Sequence, residues 1–447
     1  MQQEKTVKGF ELRVTASNSN VTGTCNHLEL MIPNGKPEEV LVDCGTFLEA
    51  DTTKYNGTFL FNPKKIQAVF LTHYHVDHYG QIPILYEQGF TGKVYSSEQT
   101  IQSLKEKAMS NFFAERRARA NTGLLYGENA VFNMLQHAEA IDYNREYQIT
   151  THIKFIIFPN QHSRGASMFL VICEYREHKI HALFTGDYKT SKFPQGLEMY
   201  KDVPISIITE GTYGDREKPE PKFKDRLVHS MRDSEELVVI ATGDGRYESV
   251  LEKIEEARTQ KLIPKETVVY IDERKRLTEE LNLNEDNPHV YYISSVAEKQ
   301  DAIYDKTPKV IIVTTRGGVN FFMEEMTSKD RAVILLTNHI SDGSRARDWV
   351  DTPRYKDITV GKKKIAKRAK ILEIRDFCGH AFAEDIAKFL NNFTNIVALF
   401  IGHGEKDSKR SLVPVLAKKT NLSRDRIYVL RRDIGYTITT NSAKYYK

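Results

Sequence analysis

Apolar and polar residues alternate in three short runs near the start of the chain. Residues 10–14 (Phe-Glu-Leu-Arg-Val), 27–32 and 39–42 put every second side chain on one face, which predicts half-buried β-strands. Asn34-Gly35, between the second and third runs, is a hairpin dipeptide because both residues tolerate positive φ. A continuous apolar run at 68–72 predicts a buried strand, and the helical period from 79 to 88, closed by Gly89, predicts a short helix. A longer helix is expected over 99–120, and strands over 154–158, 168–174, 180–185 and 205–209. The first half therefore reads as a strand-rich α/β layer structure.

The rhythm changes near residue 216. Expected helices at 223–232 and 247–258 alternate with strands at 237–241 and 267–271, and apolar, β-branched runs follow at 310–314 and 332–336. Such runs suit parallel strands covered on both faces. An inserted α/β domain is expected over 216–351, flanked by a first part (1–215) and a second part (352–447) of an outer domain. In the second part, strand 371–374, helix 383–393 and strand 396–401 are expected to complete the outer domain's sheet. No repeats or low-complexity tracts interrupt this pattern.

Composition narrows the class. A chain of 447 residues exceeds one ordinary core, and 40% hydrophobic with 28% charged residues excludes wholesale disorder. The polar opening Met1-Gln2-Gln3-Glu4-Lys5 lacks a leader's apolar segment, and no window approaches the ~18 apolar residues of a membrane span. A cytoplasmic protein with no membrane partner is expected. Cys25, Cys44, Cys173 and Cys378 lack CxxC spacing, so neither a zinc ribbon nor a disulfide framework is implied. The net charge of +4 permits a polyanionic partner without demanding one.

Chemistry concentrates in Leu71-Thr72-His73-Tyr74-His75-Val76-Asp77-His78-Tyr79-Gly80. In extended chain, alternate side chains share a face, so His73, His75 and Asp77 can converge while His78 reaches sideways as the helix begins. Imidazole and carboxylate are ligands for Zn²⁺ and its neighbours. Burying such groups without a metal costs ~1–3 kcal/mol for each one left unpaired. The bland alternative is a solvated polar turn.

The segment T-H-Y-H-V-D-H resembles the signature of the metallo-β-lactamase superfamily, whose fold is an αββα sandwich. The resemblance implies further sites in order. Asp43 would support the site from behind, His162 would match the third motif, and Asp187 would match the fourth as a carboxylate shared by two metals. One zinc would be held by His73, His75 and His162 and the other by Asp77, His78 and a later histidine, with Mn²⁺ as an alternative ion. Two such cations activate a water and clamp phosphoryl oxygens during in-line attack, with Asp77 and Asp187 part of the catalytic set. Asp187 also has a reading as a turn residue after Gly186.

Three later motifs resemble the β-CASP branch, the nucleic-acid-processing members that include ribonuclease J and the cleavage and polyadenylation endonuclease. They are Glu210 in Glu-Gly-Thr-Tyr-Gly, where relatives often have Ser at the position of Gly211, His380 in Phe-Cys-Gly-His-Ala, and His403 in Ile-Gly-His-Gly-Glu. The resemblance implies that His380, oriented by Glu210, protonates the leaving oxygen as general acid and that His403 completes the second metal's shell. A histidine at position 403 accompanies RNA substrates in this branch. Taken alone, His380 reads as a helix-start residue and His403 as a core residue at a strand end.

The inserted domain would correspond to the β-CASP domain, which in that branch covers the metal site. Cys378, Gly379, Arg316 in Thr-Arg-Gly-Gly and Ser344 in Asn-His-Ile-Ser-Asp-Gly-Ser are candidate substrate contacts, although these glycine-containing stretches also read as plain turns. Arg116-Arg117-Ala118-Arg119 and the lysine-rich run 361–370 could grip phosphate. The latter equally suits a protected sheet edge. In ribonuclease J the positions of Asp376 and Cys378 usually hold a His and a Ser that bind an RNA phosphate, so endonucleolytic cleavage of single-stranded RNA is expected over processive 5′-end degradation. Two rivals are a lactone or thioester hydrolase of the same fold, which would not need Glu210 or His380, and a non-catalytic RNA-binding scaffold, which would not need the ligands. Oligomeric state stays open, a homodimer included.

Overall fold

Strand Glu11–Ala16 buries every second residue, as its sequence period requires, and pairs antiparallel with Asn26–Met31, which continues through Asn34 (φ 58°) into Glu38–Val42. The computed structural model describes residues 7–446 except 19, 119–122, 124, 190–191, 234–235, 242–245, 273–287, 315, 338–339, 341–343, 378 and 433. The chain divides into two compact units, one formed by Met1–Lys218 with Gly379–Lys447 and the other by Pro219–Cys378.

In the first unit the described residues form an eight-stranded and a seven-stranded sheet. Their inner faces share one core, in which Leu12, Val14, Leu28, Val40 and Phe70 of the first sheet meet Phe155, Phe169, Ala182 and Phe400 of the second. Helices cover both outer faces. Ile82, Leu85, Leu104, Phe112 and Met134 pack on Leu41, Val69 and Val94 of the first sheet, while Ile386, Phe389, Leu412 and Leu416 pack on Leu170, Leu183, Ile207 and Leu399 of the second. This is the αββα sandwich that the motifs imply.

The expected strand at 396–401 is Ile396–Gly402, parallel to Ile205–Glu210 and so part of the seven-stranded sheet. The one expected at 371–374 departs from the expectation. Strand Lys370–Glu373 pairs parallel with Ala332–Leu336 in the second unit, so that unit runs Pro219–Cys378 where an insert over 216–351 was expected. An apolar strand that can be covered on both faces carries no mark of which sheet it joins. The sequence pattern also gave no sign of Gly435–Ile438, which pairs with Glu11–Ala16 and extends the first sheet.

The second unit holds a six-stranded, all-parallel sheet in the order Val290–Ile293, Val268–Asp272, Lys309–Val313, Glu236–Ile240, Ala332–Leu336, Lys370–Glu373, with an apolar cluster on each face. Among the described residues no helix is long and apolar enough to cross a membrane.

Candidate active site

Five strands of the first unit end at one edge of the sandwich, and the residues that follow their carboxyl ends carry the site. Glu38–Val42 leads into Asp43, Ile66–Phe70 into the His73–His78 segment, and His178–Phe184 into Asp187. Ile205–Glu210 ends on Glu210, and Ile396–Gly402 runs into His403. Ligand sites of α/β sheets commonly form at such carboxyl ends, where backbone leaves the ladder and side chains can converge. His162 and His380 come from loops.

The Oδ2 atom of Asp187 occupies the centre. It lies 3.3 Å from His78 Nε2 and His403 Nε2, 3.7 Å from His73 Nε2, 3.8 Å from His162 Nε2 and 3.9 Å from His380 Nδ1. His75 Nδ1 sits 2.9 Å from His73 Nε2 and 3.2 Å from His162 Nε2. Donor atoms of His73, His75, His162 and Asp187 lie within 4.8 Å of one another, as do those of Asp77, His78 and His403. All seven residues expected as metal ligands are thus brought together within one unit.

Hydrogen bonds fix which ring nitrogen faces inward. His78 Nδ1–H donates to Asp43 Oδ2 (2.8 Å) and His162 Nδ1–H to the Gly379 carbonyl (2.6 Å). Thr72 commits its N–H and its hydroxyl to Asp43, so its oxygen is left to accept from His73 Nδ1–H at 3.1 Å. His403 Nδ1 meets Thr24 Oγ1 at 2.9 Å. His73 and His162 therefore turn an Nε2 lone pair toward the cluster, and His78 and His403 present Nε2 to it.

Charge follows from burial. Burial holds His73, His162 and His403 well below the usual histidine range, with neighbouring imidazoles adding to it. His75 falls to about 4 because burial outweighs the opposing Asp77 carboxylate. Burial also opposes charging of His78, but Asp187 and Asp43 on either side outweigh it and hold its pKa well above the usual range. Burial raises Asp187, against the pull of His78 and His380. Neutral imidazoles are the form that binds metal.

The residues fit divalent cations. Buried His78 Nε2 and Asp187 Oδ1 have no hydrogen-bond partner, and the nitrogens of His73, His75 and His162 crowd together with lone pairs that protons cannot all satisfy. Nitrogen and oxygen donors in this combination suit Zn²⁺ or Mn²⁺.

Beside the cluster, His380 Nδ1 lies 2.7 Å from Glu210 Oε2. Glu210 is 1% exposed and receives four donors, since Tyr188 N–H (2.9 Å) and Ala381 N–H (3.3 Å) reach Oε1 while the Thr212 hydroxyl (2.6 Å) shares Oε2 with His380. Burial opposes charging of His380, but Glu210 and then Asp187 raise its pKa to about 9.

The expected substrate contacts are placed differently. Gly379 offers its carbonyl to His162, and a Cβ there would lie 3.3 Å from that ring. Cys378 lies outside the described residues. Arg316 begins helix Arg316–Met326 in the other unit, and its side chain is not among those described. Ser344, also in that unit, caps helix Arg345–Asp351 by accepting from Arg347 N–H. Sequence reasoning missed Thr24, Thr72 and Asn160. Asn160 braces two ligand loops, donating to the carbonyls of Thr185 and Asp187 and accepting from His162 N–H. Its place in Asn-Gln-His was the one available signal.

The family model described as metallo-beta-lactamase superfamily matches residues 35–137, which contain Asp43, His73, His75, Asp77 and His78. The fold and the edge-of-sandwich cluster agree with this match to the metallo-β-lactamase superfamily. Similar curated proteins include Transcription termination factor FttA of Methanosarcina mazei, 24% identical across 94% of this chain and 71% of that protein. They also include an RNase J-like protein of Methanocaldococcus jannaschii, 24% identical across 85% of this chain and 90% of the relative. Ribonuclease TTHA0252 of Thermus thermophilus is 26% identical across 44% of this chain and 42% of its own length. Within the superfamily these relatives support the β-CASP ribonuclease branch. The chain spans about two thirds of the length of the termination factors that it matches, 71% and 63% for two of them.

Proposed function

We propose that this chain is a metal-dependent ribonuclease that hydrolyses internal phosphodiester bonds of single-stranded RNA in the cytoplasm, with two zinc ions as its native cofactors. The observation that carries the reading is the Glu210–His380 pair standing beside a cluster of seven metal-type donors, an acid–base element that a lactone or thioester hydrolase does not require. Relatives named ribonuclease and RNase J-like support RNA as the substrate class.

One cation would be held by His73, His75, His162 and Asp187, and the other by Asp77, His78, His403 and the shared Asp187. When bound, the pair supplies an activated water and neutralises charge on the phosphoryl oxygens. The chain's own residues do the rest. Asp43, Thr72, Thr24 and Gly379 hold the histidine rings in the ligating tautomer. His380 keeps a proton at neutral pH because Glu210 faces its Nδ1, so Nε2–H is available to the departing oxygen of the scissile bond. Contacts from Cys378, Gly379, Arg316 and Ser344 to the RNA belong to the same proposal.

The test compares 5′-end-labelled with internally labelled single-stranded RNA, and with DNA, for the wild type, Asp77→Ala and His380→Ala. Internal RNA cuts lost in both variants, with metal content retained in His380→Ala, are expected. Mononucleotides released from the 5′ end as the main product would overturn the endonucleolytic part. A purified chain that takes up no stoichiometric metal would overturn the whole.

A further inference from the structure

A cavity of about 250 Å³ opens on the first unit, lined among others by Phe47, Val76, Tyr79, Asn111, Glu115 and Tyr126. Three features of it bear on a ligand. Its walls are largely apolar and aromatic, and its size is below that of pockets for drug-sized ligands, which suits one flat ring system. It opens to solvent at Leu48, which is 54% exposed, and at Asn111. Its wall is continuous with the site, because Val76, Tyr79 and Gly80 stand one helical turn apart on the segment whose intervening residues are Asp77 and His78. Thr46, also in the lining, ties to this segment by donating its N–H to the Val76 carbonyl.

The polar groups inside are already organised. Asn111 Nδ2–H donates to Tyr79 Oη at 2.7 Å, and Tyr126 Oη–H donates to Glu115 at 3.0 Å. The two phenol rings are thereby fixed in the wall, Tyr79 by Asn111 and Tyr126 by Glu115. Lys107 sits one turn before Asn111 on the same helix. Its ammonium donates to Tyr74 Oη at 3.2 Å and lies 4.6 Å from the centre of the Tyr74 ring, which in turn lies 5.6 Å from the His75 ring. A cation is thus held between the cavity and the metal ligands, where a polyanionic backbone would pass.

We infer that this cavity is a nucleobase subsite, which receives the base of a nucleotide neighbouring the scissile phosphate while Lys107 meets the linking phosphate. The inference rests on the RNA reading above and adds to it a subsite remote from the metals. A helical turn is ~10 Å across with its side chains, a span within reach of a neighbouring nucleotide. Base stacking on aromatic walls would supply affinity without a fixed sequence requirement at other positions.

The experiment uses the full chain loaded with zinc, in a His380→Ala background to prevent cleavage. Single-stranded RNA oligonucleotides carry a fluorescent adenine analogue at successive positions. Quenching confined to one or two adjacent positions is expected. It should disappear in Asn111→Trp, which fills the cavity from an exposed helix position, with binding weakened about tenfold, the lower range of a lost base stack. Thr53→Trp, from the opposite rim, should act alike and guards against a folding artefact. Lys107→Gln should weaken binding at every position and flatten the salt dependence. Uniform quenching along the oligonucleotide, or quenching that persists in both tryptophan variants, would overturn the subsite. Hydrolysis of bis(p-nitrophenyl) phosphate, which has no base, is measured separately in the wild type with His380 intact. If the wild type hydrolyses neither that ester nor RNA, the ribonuclease reading fails, while the quenching pattern still decides the subsite.

Discussion

Replacing Glu210 by Gln removes one negative charge and almost no volume, so its effect isolates electrostatics. Tyr188 N–H and Ala381 N–H both point at Oε1 and fix that corner of the amide as the carbonyl. The NH₂ group must then occupy the Oε2 corner, facing His380 Nδ1, where it can pair only with an unprotonated nitrogen. The variant therefore selects neutral His380, with its single proton on Nε2. In the wild type, the pKa rises from 6.5 to about 9 despite burial, with Glu210 the first of the groups raising it. At ~1.36 kcal/mol per tenfold, the whole rise is about 3 kcal/mol in favour of imidazolium. Without Glu210, burial is opposed mainly by Asp187, so the pKa is expected below its ordinary 6.5. At pH 7.5 the protonated fraction then falls from nearly complete to about a tenth or less. Because activity needs the protonated ring, it declines as pH rises through the pKa. Bound cations draw that decline toward neutrality in both proteins. Measured as kcat/KM against pH on single-stranded RNA, Glu210→Gln should move the alkaline limb to lower pH by more than one pH unit, and cleavage at pH 7.5 should drop about tenfold. Metal content, measured in parallel, should be unchanged. An alkaline limb at the same pH in both proteins, with metals retained, would refute the general-acid assignment.

Asp43→Asn keeps a side chain tolerant of the positive φ (61°) found there but offers an amide in place of the carboxylate that faces His78 Nδ1–H. Metal affinity measured by chelator competition should fall about 10- to 100-fold. Thr24→Val removes the partner of His403 Nδ1 without changing shape, and titration should show one cation weakened about tenfold while the His73–His75–His162 cation is retained. Gly45→Ala would place a Cβ 1.6 Å from the Asp77 carbonyl oxygen. Backbone must move, so thermal unfolding should reveal a loss of about 1–3 kcal/mol, and metal analysis should show the Asp77–His78–His403 ion depleted first. Chelation of the wild type should lower its Tm, and the shift should shrink as zinc is restored, because a ligand that binds only the folded state stabilises it by mass action.

The first sheet's early strands, the βα rhythm of the second unit and the cluster of metal-type donors were legible because each is written in short stretches. Four ligand-type side chains within six residues need no knowledge of distant pairing, and an alternating strand such as Glu11–Ala16 declares its buried face by itself. What stayed hidden depends on partners far away in the chain. Nothing in Gly435–Ile438 says that it will lie against Glu11–Ala16, and the apolar Lys370–Glu373 suits either sheet. The anchors of the site were hidden for a similar reason. Thr24 and Thr72 are ordinary residues whose role exists only once strand ends bring them to His403 and His73.

That contrast bears on what the fold contributes to the chemistry. Histidines and carboxylates alone would gather cations in many arrangements, with either ring nitrogen as donor. Here four of the five cluster histidines have Nδ1 engaged by a neighbour, and those neighbours sit on backbone that is itself tied across strands, as in Thr24 N–H to the Asp77 carbonyl and Cys44 N–H to the His78 carbonyl. A carboxylate behind the ring has a different effect from a hydroxyl or a carbonyl: His380, facing Glu210, and His78, facing Asp43, are held above the usual histidine range, whereas His73, His162 and His403, engaged by Thr72, the Gly379 carbonyl and Thr24, are held below it. Two classes of histidine a few ångströms apart are thus set by what lies behind each ring. The anchors are therefore the positions where a conservative substitution should change the chemistry while leaving the sandwich intact.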